Sequence, residues 1–209
     1  MKNLFKIALT ILALANINGC TGQDPFGVHT SGKLVAFIAT EDNTFRNNLT
    51  TAQSYSTTID SRELTFATSN LFRRFDYIED VVAFGVEEKF RLATMDRNFR
   101  YSGDCEDYAL RFADILITDY RMNPRDIRFV SGDFDNTETV GKHVWLEVNT
   151  IDKGWVVVNY YNVTDFNVYT DKFNYTNHSE LKADERINLQ TAYTEAMELR
   201  DQTKTVRNR

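Results

Sequence analysis

Proline and glycine are scarce in this 209-residue chain, two and nine respectively, and no repeat period or low-complexity stretch interrupts it. A disordered or solenoid architecture therefore has nothing to stand on. Clustered basic residues are missing as well: the net charge is -6 and the pI near 5.1. Phosphate backbones demand clustered Lys and Arg, so nucleic acid is excluded as a partner. Cysteine and histidine are rare, with two and three copies, which narrows any search for nucleophiles and bases to a handful of positions. What is abundant is apolar residue, 42% of the chain with 13% aromatic, enough for one domain with a real core and too little length for two.

The first twenty residues differ from the rest. Lys2 and Lys6 make a positive start, Ile7 to Ile17 an apolar run, and Ile17-Asn18-Gly19-Cys20 follows directly. This is the pattern of a secretion signal, too short to span a bilayer. Its end resembles a lipobox, in which a small residue precedes a cysteine that is lipidated and becomes the new N-terminus. Residues 1-19 are thus expected to be a lipoprotein signal peptide, with lipid on Cys20 as the membrane anchor. Thr21, rather than Asp, after the cysteine implies, by similarity to sorted lipoproteins, the periplasmic side of the outer membrane. An acidic body does not hold to anionic lipid unaided, so the lipid must supply the attachment. If Cys20 carries lipid, Cys105 is the one remaining thiol in an oxidising compartment and has no disulfide partner in the chain. Composition leaves it equally a small buried apolar residue or a reactive thiol.

Residues 20-33, with Gly22, Pro25, Gly27 and Gly32 among polar neighbours, read as a lipidated tether, and residues 34-209 as the domain. A polar stretch rich in Asn and Thr runs to about residue 60. Leu64, Phe66, Ala67, Leu71, Phe72 and Phe75 have helical spacing from Glu63 to Phe75, and a second helix is expected around Val81 to Leu92. The clearest helix covers Asp104 to Tyr120, with Ala109, Leu110, Phe112, Ala113, Leu116 and Ile117 on one face and Pro124 barring continuation. Beyond it the period becomes two: Ile127 to Val130, His143 to Val148, and Trp155 to Val158, the last two joined by a turn at Asp152-Lys153-Gly154. From Ser179, a potential N-cap, the tail returns to helical spacing through Leu189, Tyr193 and Met197. Helices, a central helix and then an antiparallel sheet make an α+β domain.

Ser102-Gly103-Asp104-Cys105-Glu106-Asp107 lies where a turn feeds the central helix, so Cys105 falls in the first turn, where unpaired N–H groups and a positive dipole stabilise a thiolate and could hold an oxyanion. The flanking acids act oppositely, and a cation or an imidazolium is needed to neutralise them. A catalytic thiol requires a base and a group that orients it. His29 is in the tether and His178 at an expected helix start; His143 opens a strand that can run beside the central helix. If 143-148 and 155-159 form a hairpin, Asn159 can reach His143 as an amide orienter, or be an ordinary strand end.

Gly103-Asp104-Cys105-Glu106-Asp107-Tyr108-Ala109, Lys142-His143-Val144-Trp145-Leu146-Glu147-Val148 and Gly154-Trp155-Val156-Val157-Val158-Asn159 resemble, in this order, the three catalytic segments of the transglutaminase-like superfamily. Within it they are most similar to the bacterial transglutaminase-like cysteine proteinases, and the likeness extends upstream through Phe75-Asp76-Tyr77-Ile78-Glu79-Asp80 to Phe90. The resemblance covers about residues 72-160. It implies a papain/transglutaminase-like fold with the nucleophile at the N-terminus of a central helix packed on an antiparallel sheet, Cys105 as nucleophile, His143 as base, and Asn159 in a place usually held by aspartate. Phe90 stands where that group tends to have tryptophan. The resemblance also implies Ca²⁺ held at Asp104, Glu106 and Asp107, whose oxygen ligands suit that ion. The expected activity is membrane-anchored peptide-bond hydrolysis on a protein or peptide substrate. Two alternatives are acyl transfer to an amine at the same site, and a catalytically weak lipoprotein that binds a partner through its cleft.

Overall fold

The computed structural model describes residues 30–40, 43–56, 59–79, 90–135, 140–159, 169–170 and 180–207. The signal segment, Cys20, His29, His178 and Ser179 lie outside them, as does most of the helix expected over Val81 to Leu92; Phe90 to Leu92 are not helical.

Helix α1 (Thr30–Thr40) begins inside the expected tether, because Leu34, Phe37 and Ile38 form one apolar face that is buried. Helix α2 (Asn43–Ala52) occupies the Asn- and Thr-rich stretch. Its Phe45, Leu49 and Ala52 suffice to dock it, and Arg46 Nη1 donates to the carbonyls of Ile38 at 2.9 Å and Ala39 at 3.1 Å, closing the end of α1. Helix α3 (Ser61–Phe72) is started by a capping box: Asp60 accepts from the N–H groups of Arg62 and Glu63, and Glu63 accepts from Asp60 N–H. It stops three residues short of the sequence expectation. Phe75 instead enters β1 (Phe75–Tyr77), whose backbone pairs in parallel with β2 (Tyr101–Gly103).

Helix α4 (Cys105–Thr118) follows β2 at once. Leu110, Phe112, Ala113 and Leu116 are fully buried and belong to one core cluster with Phe129, Leu146, Val148, Val156 and Val158 of the sheet. Each large side chain removed from water there contributes about 1.5–3 kcal/mol. A short 3₁₀ turn (Pro124–Asp126) leads into a five-stranded antiparallel sheet of β3 (Ile127–Asp135), β4 (Val140–Thr150), β5 (Gly154–Val158), β6 (Tyr169–Thr170) and β7 (Glu180–Asn188), in spatial order β6-β5-β4-β3-β7. The β4–β5 turn falls where the sequence placed it, with Gly154 at φ +68, a left-handed conformation that a side chain would disfavour.

The expected helix from Ser179 is corrected. Residues 180–188 form edge strand β7 on β3, and α5 (Leu189–Arg207) starts only afterwards, with the Asn188 side chain accepting from Gln190 N–H at 3.0 Å. Charged and alternation-poor, β7 has no strong period of its own; pairing with β3 from Arg128↔Asn188 to Asp135↔Glu180 decides its state. Leu189, Ala192 and Ala196 then carry α5 into the core beside α1.

Candidate active site

Strand register brings His143 and Asn159 together. Leu146 pairs with Val158, so Asn159 comes opposite Trp145 and diagonal to His143, on the same face of the sheet. The side chains meet at 2.6 Å between His143 Nε2 and Asn159 Oδ1, both residues buried. An amide oxygen only accepts, so Nε2 carries the ring proton and Nδ1 keeps the lone pair. Trp145, 1% exposed, lies nearly parallel to the His143 ring with centroids 6.1 Å apart and walls this pair from water. Burial pulls the His143 pKa down from 6.5 to about 4, against the opposing effect of the Asn159 bond, so the imidazole is neutral at any ordinary pH.

Cys105 is the first residue of α4 and is half-buried. The backbone N–H of Val144, next to His143 in the chain, donates toward its sulfur, which sets the helix start against the His143 end of β4. The thiol itself donates to Glu106 Oε2 at 3.2 Å. The sequence led us to expect a helix terminus that lowers the thiol pKa. The structure reverses the balance: burial first, then the charges of Glu106 and Asp104, push it well above its ordinary value, and the Val144 N–H only partly opposes them. Both shifts favour the neutral forms, a thiol on Cys105 and an imidazole on His143.

The three acids do not converge as a calcium cage. Asp107 is fully buried and engaged by Arg91, whose backbone N–H reaches Oδ1 at 3.1 Å and whose Nε reaches Oδ2 at 2.7 Å. Arg91 Nη2 also donates to Ser102 O at 2.9 Å, tying its segment to the turn before Cys105. Glu106 faces the thiol, and Asp104 is the N-cap residue of α4 without a side-chain cap bond. Among the described residues no three of His, Cys, Asp and Glu are grouped to hold a metal ion. Arg91 is a positive partner of Asp107, and sequence reasoning passed it over because nothing at sixteen residues' separation marks the pairing. Gly103 is required by the same knot, since a Cβ there would overlap the Asp107 carboxylate. Phe90 is partly buried against the core.

No protein family matches the chain, and no curated protein does. A solved structure does resemble it. Calcium-bound LapG of Legionella pneumophila aligns over 87% of this chain and 83% of its own, at 11% identity and a TM-score of 0.30. At that score the likeness assigns neither fold nor activity, so any functional reading has to stand on the residues themselves.

Proposed function

We propose that this protein is a thiol hydrolase that cleaves peptide bonds of a protein or peptide substrate, with Cys105 as nucleophile, His143 as general base and Asn159 as the group that orients it. The observation that carries the reading is the buried 2.6 Å bond between His143 Nε2 and Asn159 Oδ1, which fixes the ring's orientation and its tautomer, with the lone pair on Nδ1. Because neither the thiolate nor the imidazolium is favoured alone, the proton must leave sulfur as the S–C bond forms and pass to the leaving amine as the C–N bond breaks. Water then hydrolyses the acyl-enzyme. Calcium does not enter this proposal, since the Asp107 carboxylate is already engaged by Arg91.

The test is intact mass after exposure of the purified protein to a peptidyl electrophile. Single-site labelling lost in both Cys105→Ala and His143→Ala supports the reading; labelling of Cys105 that is indifferent to His143 refutes it. Addition of an amine distinguishes hydrolysis from acyl transfer, because only the second nucleophile differs. The reading of a catalytically weak, partner-binding lipoprotein draws on the raised thiol pKa, and it predicts no labelling at neutral pH.

Anchoring by lipid on Cys20, at the periplasmic side of the outer membrane, is part of the same proposal. No helix among the described residues is long and apolar enough to cross a membrane. A palmitate analogue should label the wild type and not Cys20→Ala, and an unlabelled wild type would remove the anchor.

A further inference from the structure

The parallel pair β1–β2 ends one step before the nucleophile. Its last rung sets Tyr77 against Gly103, and Ile78 N–H donates to Gly103 O at 2.8 Å. Side chains alternate along a strand, so Phe75 and Tyr77 project from the same side of β1. Phe75 meets Tyr108 of α4 edge-on, with ring centroids 5.0 Å apart at 80°. Tyr108 lies one turn along the helix from Asp104 and Cys105. Two strand residues advance by about 6.6 Å and a helical turn by about 5.4 Å, so the step from Phe75 to Tyr77 matches the step from Tyr108 to the first turn of α4. Phe75 is 3% exposed and Tyr77 43% exposed: the first ring is core, and the second reaches the surface on the rung that pairs with Gly103, two residues before Cys105. Desolvation of the phenol oxygen and then the charges of Cys105, Asp104, Glu106 and Glu79 raise the phenol pKa well above its ordinary value, so Tyr77 keeps its proton.

We propose that Tyr77 is a further catalytic residue, whose phenol O–H donates to the carbonyl oxygen of the acyl group that Cys105 attacks. The inference rests on the reading of Cys105 as a nucleophile. During attack the S–C bond forms, the carbonyl π pair moves onto oxygen, and the thiol proton passes to His143. The carboxylates of Asp104 and Glu106, close enough to raise the thiol pKa, repel an oxyanion formed there. A donor from the Tyr77 hydroxyl would offset that repulsion. Tyr77 keeps its proton throughout, and the oxyanion collapses as the bond to the leaving group breaks with its electron pair.

The experiment compares wild type with Tyr77→Phe in two reactions of Cys105: acylation by p-nitrophenyl acetate, which passes through an oxyanion, and alkylation by iodoacetamide, which does not. We expect acylation to slow by on the order of 100-fold, while the alkylation rate and its pH profile stay as in wild type. Equal slowing of both reactions would place Tyr77 on the thiol rather than on the carbonyl, and slowing of neither would leave it without a role; either overturns the inference. A large fall in the thermal midpoint of Tyr77→Phe would assign the hydroxyl to structure and overturn it equally. A wild-type protein that is not acylated at all is a different outcome, in which the nucleophile reading itself fails.

Discussion

Replacing Asn159 by Asp isolates the electrostatics of the base. In the wild type His143 must be charged in a buried setting, and the drop of its pKa from 6.5 to about 4 corresponds to a penalty of about 3 kcal/mol on the imidazolium. A carboxylate in place of the amide oxygen, now 2.6 Å from Nε2, adds an attraction of about 4 kcal/mol for charges some 4 Å apart at an effective dielectric near 20. The attraction is as large as the penalty, so the imidazolium should be restored to ordinary stability. The His143 titration in Asn159→Asp should therefore move up from about 4 to the ordinary histidine range or above it. Two measurements check this: an NMR titration of the His143 ring, and the acid limb of the pH dependence of Cys105 acylation. The limb should rise with the titration, while activity at neutral pH is kept or increased, because the ring remains oriented and its cation gains a counter-charge. Asn159→Ala should instead lose kcat strongly and leave the limb low. A titration in Asn159→Asp at or below the wild-type value would refute the argument, and so would full activity in Asn159→Ala.

The same burial makes the fold acid-sensitive: the folded-state pKa of His143 lies below its unfolded value, so stability is lost as pH falls from 6.5 through about 4, by about 3 kcal/mol, and His143→Gln should remove that share of the loss in denaturant titrations. Asp107→Ala leaves Arg91 without its carboxylate and, Arg91 being partly exposed, should cost about 3 kcal/mol by thermal unfolding, with or without added calcium; a calcium-dependent effect would return Asp107 to a metal site. Gly103→Ala should cost about 1–3 kcal/mol by steric conflict with that carboxylate, and Gly103→Ala combined with Asp107→Ala should cost less than the sum of the two.

Where local period was strong, the sequence anticipated the structure. The apolar stripe of Ala109, Leu110, Phe112, Ala113, Leu116 and Ile117 needs no distant partner to declare a helix, and α4 follows it to within two residues at its C-terminal end. The hairpin of β4 and β5 was legible from alternation and from Gly154, and with it the approach of Asn159 to His143, because a two-residue period fixes which side chains share a face. The α+β order of elements was legible for the same reason. Residues 180–188 were misread: their few apolar positions are compatible with either period, and only the partner strand β3 selects between them. Helix α2 was missed because three buried apolar residues among Asn and Thr leave too faint a stripe.

At the centre of the site, the sequence by itself determined which groups are present: one thiol at a helix start, one histidine opening a strand, an amide at the end of the next strand, and acids around the thiol. Their ionisation was decided by the tertiary structure alone. A thiol at a helix N-terminus is lowered by the dipole and raised by desolvation and neighbouring carboxylates, and which effect prevails depends on how deeply the group is buried and how close Glu106 comes. The partner of Asp107 was likewise beyond local reading, since pairing with Arg91 sixteen residues upstream depends on how the chain between them is routed, and charge–charge contacts leave no period in a sequence.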